Sequence, residues 1–220
     1  MKVAIIGASG KTGAKLVDEA LGRGYRVAAV CREASAAKLE KYFDHQGFTL
    51  ISAPVVADEK TLTRALAGCD AVVAVLISVR SLKATALVAA LVRATAANGV
   101  QRLVFTAGEV TAVGDAGEVF TLRQRIMGWI FRPIAWFTPY SLGDMLKASA
   151  MVKAHSPWEW TIVRAPTLVD GPPRGYRLCR VSEITGAHRL PREDYAACLL
   201  DSLGNPRHHR RLLAVAPAGG

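Results

Sequence analysis

The chain has 220 residues, 51% of them hydrophobic, which suffices for one substantial core and leaves little for a second. No run reaches the roughly 20 consecutive apolar residues of a membrane-spanning helix. The opening MKVAIIGASG breaks at glycine with no processing site behind it, so a cytoplasmic protein is expected. The formal net charge of +10 favours anionic partners such as phosphorylated cofactors, nucleic acid or acidic lipid. Cys31, Cys69, Cys179 and Cys198 form no CxxC pair, so disulfide and zinc readings lack support and no metal site is expected.

In chain order, short apolar runs alternate with segments of helical period. KVAII is followed by AKLVDEALGRG, where Leu16, Val17, Ala20 and Leu21 recur at helical spacing and Gly24 supplies the stop. YRVAAVC reads as the second strand. TLISAPVV, a short helix EKTLTRALAG, the strand DAVVAVL, the long helix LKATALVAALVRATAANG and the strand RLVFTAG follow. These strands are apolar on both faces, as parallel strands between helix layers are. The fold class predicted is α/β, a doubly wound, mostly parallel Rossmann-like sheet in a single domain over 1–220.

Beyond Gly108 the alternation loosens. Residues 109–120 read as a loop and 121–140 are rich in Trp, Phe and Pro. SLGDMLKASAMVKAH reads as a helix, WTIVRA as a strand, TLVDGPPRGYRLCRV as turns and short irregular strands, and PREDYAACLLDSLG as a helix opened by Pro191 and closed by Gly204. Residues of about 109–145 and 165–190 are expected to form the substrate side. The basic run RHHRR near the C-terminus reads as a solvated surface rather than a nucleic-acid site.

The order strand, GASGKTG, helix is what a dinucleotide cradle requires. Gly7 permits the sharp turn out of the strand, Gly10 lets backbone approach a pyrophosphate, and Gly13 lets the helix pack closely. The motif is not a P-loop, because a GK[ST] tail with four intervening residues is absent. At the end of the second strand, where an NAD site would carry an acid, the chain has Arg32. A guanidinium there pairs with a 2'-phosphate, with Lys11 adding charge, so NADP is expected over NAD.

GASGKTG, Arg32, VVAD after the third strand, DAVVAVL and WTIVRAPTLVDGPPRGYRL together resemble the atypical short-chain dehydrogenases/reductases. Within these the chain is most similar to the NAD(P)H-binding group that includes flavin reductase/biliverdin reductase B and NmrA-like proteins. The resemblance covers most of the chain and is weakest from 109 to 145. It implies that Gly7, Ser9, Gly10, Lys11, Thr12 and Gly13 form the phosphate loop, Arg32 meets the 2'-phosphate and Asp58 lies beside the adenine. It further implies that Leu76 and Ile77 pass under the adenosine ribose, that Arg80 approaches the cofactor, that Thr106 ends the fifth strand at the cofactor, and that Pro166, Thr167 and Leu168 border the nicotinamide.

The Tyr-x-x-x-Lys pair of typical members is absent, since Tyr140 and Lys147 stand seven residues apart across Gly143. Thr106 and Lys147 are the candidate catalytic residues, Lys147 as the group able to approach the nicotinamide ribose. Biliverdin-reducing relatives carry a histidine where this chain has Thr167. Without a positioned acid, the expected substrate is a small molecule that accepts hydride without a protein proton donor, such as a quinone or flavin; the alternative is a non-catalytic NADP-binding regulator or assembly protein. In RQRIMGWIFRPIAWFTPY, Trp129, Trp136, Phe137 and Tyr140 could wall the substrate pocket. The same stretch also reads as core packing, a subunit contact in a homodimer, or, with its interleaved arginines, a membrane-surface segment.

Overall fold

The computed structural model describes all residues except 76, 77, 79–81, 110, 113, 115–117, 119, 120, 123, 127, 128, 130–140, 186 and 220. The chain opens with β1 (Lys2–Ile6), α1 (Lys11–Gly22) and β2 (Arg26–Arg32), then a 3-10 helix over Glu33–Tyr42 and β3 (Phe48–Ala53). There follow α2 (Glu59–Leu66), β4 (Ala71–Ala74), α3 (Ala84–Asn98) and β5 (Arg102–Gly108). The second half carries α4 (Leu142–Ala154), β6 (Glu159–Ala165), β7 (Thr167–Val169), β8 (Tyr176–Cys179), β9 (Arg189–Pro191), α5 (Arg192–Gly204) and β10 (Arg211–Pro217).

The main sheet runs β3-β2-β1-β4-β5-β6-β10-β8, parallel throughout except for β8, which pairs antiparallel to β10; β7 and β9 form a separate parallel pair. The alternation of side chains along each strand divides the core into two faces. Val3 and Ile5 of β1, Val73 of β4 and Val163 of β6 face one layer, with Leu16 and Val17 of α1 and Leu199 of α5. Ala4 and Ile6 of β1, Val72 of β4 and Phe105 of β5 face the other, with Leu62 of α2, Leu87 and Leu91 of α3 and Ala148 of α4. Each fully buried Leu or Ile contributes about 1.5–3 kcal/mol, so apolar residues on both strand faces commit the sheet to its sandwiched position.

Helix ends follow local chemistry. At Gly99 (φ +67°) the chain turns left-handed, and the Val100 N–H returns to the Thr95 carbonyl, closing α3. Asp58 caps α2, its carboxylate accepting from the Thr61 N–H at 2.8 Å.

Several boundaries differ from the expectation. The first helix starts at Lys11, inside GASGKTG, rather than at Ala14. Pro191 ends β9 and is the N-cap of α5, one position earlier than expected. The basic run is not simply a solvated surface: His209 pairs with Glu159 at 3.2 Å, the Arg210 N–H donates to the Trp160 carbonyl, and Arg211 opens β10. That strand, RLLAVAP, was not anticipated; its Ala214, Val215 and Ala216 are fully interior.

Candidate cofactor and substrate site

The sheet reverses its winding between β1 and β4, and ligands of open α/β sheets bind at such a switch point. GASGKTG sits there. Gly7 has φ +84°, and a Cβ on it would lie 2.1 Å from the Val75 carbonyl oxygen at the end of β4. A Cβ on Gly13 would lie 2.1 Å from the Gly7 carbonyl oxygen. Both positions therefore exclude any side chain. Gly10 is the N-cap of α1 and brings no side-chain cap. Among the described residues, the N–H groups of Lys11, Thr12 and Gly13 find no acceptor, and no acid stands in the first turn. Three open donors and the positive end of the helix dipole thus face out of the loop, which is the arrangement that takes a phosphate. The residues fit a dinucleotide pyrophosphate.

A cavity of about 690 Å³ continues from this helix end. Gly7, Gly10, Lys11, Thr12 and Gly13 form one wall; Val75 and Thr106–Gly108 form the floor at the ends of β4 and β5; Met145, Ala165, Pro166, Leu168 and Tyr195 close the far side. Among the described lining residues there is no histidine, cysteine or carboxylate. The Tyr195 hydroxyl donates to the Val163 carbonyl at 2.7 Å, and burial pushes the phenol well above its ordinary value, so it is a poor proton donor. Arg192 lines the mouth. Its guanidinium pairs with Asp170 at 2.7 Å, and Asp170 also reaches Lys11 at 3.8 Å. Sequence reading had missed Met145, Arg192 and Tyr195.

The structure sorts the other expected residues. Thr106 is buried on the floor, its hydroxyl donating to the Ala74 carbonyl at 3.3 Å. Pro166 and Leu168 line the cavity, whereas Thr167 between them is exposed and lies outside it, because β7 alternates its side chains. Arg32 is exposed at the end of β2, beside Ser35, whose hydroxyl lies 2.9 Å from that of Ser9. Asp58 is exposed, and its carboxylate is held below the usual range by the Thr61 N–H.

Two of the expected residues lie away from the cavity. Lys147 is exposed and does not line the cavity: Leu142 and Met145 are the residues of α4 that do, and Lys147 falls off that face. Trp129 neither lines the cavity nor packs in the core, since it is 75% exposed. Leu76, Ile77, Arg80, Trp136, Phe137 and Tyr140 lie outside the described residues. Among the described residues no group of His, Cys, Asp or Glu is placed to hold a metal, and no helix is long and apolar enough to cross a membrane.

The segments on the substrate side are held by buried polar side chains. Asp144 at the start of α4 accepts from the Ser78 hydroxyl (2.6 Å), the Thr85 hydroxyl (2.6 Å) and the Ala84 N–H (2.7 Å), joining α4 to the start of α3. These donors hold its carboxyl below the usual range against the opposing effect of burial. Arg164 of β6, only 1% exposed, forms a two-pronged pair with Glu118. Asp194 of α5 accepts from the Arg174 and Gly175 N–H groups.

Comparison with known proteins agrees with this geometry. No curated sequence matches the chain. Among solved structures, a short-chain dehydrogenase/reductase from Veillonella parvula superposes with a TM-score of 0.78 at 19% identity, covering 99% of this chain and 94% of that one. A Veillonella parvula short-chain dehydrogenase/reductase in complex with NADP gives 0.75 at 20% identity, covering 99% and 95%. An anaerobillin reductase from Escherichia coli O157:H7 gives 0.73 at 16% identity, covering 100% and 98%. At these identities the likeness is one of fold. The sequence of residues 7–206 matches the NAD(P)H-binding family. This chain therefore belongs to the NAD(P)H-binding family, on the Rossmann-like fold of the short-chain dehydrogenases/reductases.

Proposed function

We propose that the chain is an NADPH-dependent reductase of a flat, electron-poor small molecule such as a quinone or flavin. The observation that carries this reading is the cavity: it runs from three open helix N–H groups onto a largely apolar far wall with no histidine, cysteine or carboxylate among its described lining residues. An acceptor of that class takes its protons from water and asks the protein only for orientation and dryness. When bound, the cofactor supplies a hydride. Gly7, Ser9, Gly10, Lys11, Thr12 and Gly13 would hold its pyrophosphate, and Arg32 its 2'-phosphate. Asp58 would lie near the adenine, Leu76 and Ile77 under the ribose with Arg80 approaching the cofactor, and Thr106, Pro166 and Leu168 at the nicotinamide. The other substrate-side residues exclude water and orient the acceptor. We further propose a cytoplasmic monomer or homodimer with no nucleic-acid partner.

The test has two stages. NADPH and NADH are titrated against the chain and its Arg32→Ala variant by tryptophan fluorescence. Tight NADPH binding that weakens about tenfold or more in the variant, with NADH unaffected, supports the 2'-phosphate role. Equal affinities for both nucleotides overturn it. NADPH oxidation is then followed with quinones and flavins. Turnover supports the reductase; tight binding without turnover favours the non-catalytic NADP-binding protein, a reading that the lack of a histidine, cysteine or carboxylate among the described lining residues also fits.

A further inference from the structure

One feature lies outside the cavity. In the stretch TLRQ, Thr121 and Gln124 cap a helical turn reciprocally. The Thr121 hydroxyl accepts from the Gln124 N–H at 3.3 Å, and the Gln124 side-chain oxygen accepts from the Thr121 N–H at 2.9 Å. The Gln124 amide then donates to the Val181 carbonyl, and the side chain is 1% exposed. This anchor fixes which face of the turn looks outward. On a helical projection Leu122, Arg125, Ile126 and Trp129 fall together, opposite Gln124. Leu122 is 72%, Ile126 46% and Trp129 75% exposed, and Arg125 is exposed beside them. Three large apolar side chains are thus held in water by a buried polar anchor on the other side.

We propose that this face docks on an anionic lipid surface. The side chains suit that medium: a tryptophan and two aliphatic residues to enter the headgroup region, and an arginine at their edge for lipid phosphate. The charge agrees. Arg125 is exposed on this face, and the whole chain carries +10. A second copy of the chain is the less suitable occupant. On this face two copies would set Arg125 against Arg125, and three side chains fall far short of the roughly 800 Å² per partner of a stable interface. The proposal does not depend on the reductase reading.

The experiment is co-sedimentation of the full chain with phosphatidylcholine vesicles, with and without phosphatidylglycerol. The expected result is binding to the anionic vesicles, weakened by salt, and reduced more than about tenfold in a Leu122→Gln/Ile126→Gln/Trp129→Gln variant whose melting temperature and NADPH affinity match the parent. As a second readout, anionic vesicles shift tryptophan emission to shorter wavelength, and Trp129→Phe removes that shift. Binding undiminished in the triple variant, no binding to anionic vesicles, or a dimer that the triple variant splits while vesicles are ignored would each overturn the proposal.

Discussion

The two walls of the cavity are built by different means. The glycine-loop wall is made of backbone: carbonyl oxygens of Gly7 and Val75 stand where a Cβ at Gly13 or Gly7 would have to go, and the functional donors are N–H groups of α1. The opposite wall is hung from the frame by side chains, through Asp144, Asp194 and the Arg164–Glu118 pair. A backbone wall accommodates no substitution and admits one kind of ligand, the pyrophosphate. A wall suspended on a few polar ties can be re-shaped by changing what lies between the ties. On this view the first wall fixes the cofactor and the second selects the acceptor.

The contrast can be broken experimentally, starting with the largest effect on NADPH affinity. Gly13→Ala forces backbone against backbone; it should cost about 1–3 kcal/mol of stability and weaken NADPH at least about tenfold, read by thermal melting and fluorescence titration. Arg164→Met leaves Glu118 without its partner and should destabilise by about 3 kcal/mol, near the lower end for such pairs because Glu118 can regain water. Its signature is a raised KM for the acceptor with NADPH affinity unchanged. A loss of NADPH affinity as large as that of Gly13→Ala would erase the distinction between the walls.

Asp144→Asn sharpens the comparison through pH. The native carboxyl is held below its unfolded value, so its contribution is complete above about pH 4 and is lost as pH falls through the lowered folded value. The variant should melt lower at neutral pH, by about 1–3 kcal/mol, and the gap between the two melting curves should narrow in acid. A gap independent of pH would mean that the carboxylate charge is not what holds α4 to α3. The smallest effect is at Asp58. Asparagine caps a helix as well as aspartate does, so Asp58→Asn should leave the melting temperature unchanged. Any loss of NADPH affinity in that variant then reports a direct role near the adenine.

The two walls also differed in how readily they could be read from sequence. GASGKTG is contiguous and its glycines are dictated by local turn and packing geometry, so the motif announces itself. Arg192 and Tyr195 come to the cavity from PREDYAACLL, a helix legible in sequence only through its start and stop residues; their relation to Gly10 is created by the packing of α5 on α1. Lys147 shows the reverse relation. Its residue type suited the role, but its position on α4 relative to Met145 turns it to solvent. β10 was missed because its neighbours β6 and β8 are remote in sequence, and the adjacent RHHRR masked a short apolar run.

The position of β10 has a consequence for biosynthesis. Residues 211–217 are inserted between β6 and β8, which are translated earlier. Until they emerge, Tyr176–Cys179 has no strand to pair with, and β6 stands as a bare edge with open hydrogen-bonding groups. A nascent chain can assemble β1 to β6 on the ribosome, but its sheet remains unsealed until β10 has emerged. The vulnerable interval for misassociation thus lasts until residues 211–217 have emerged.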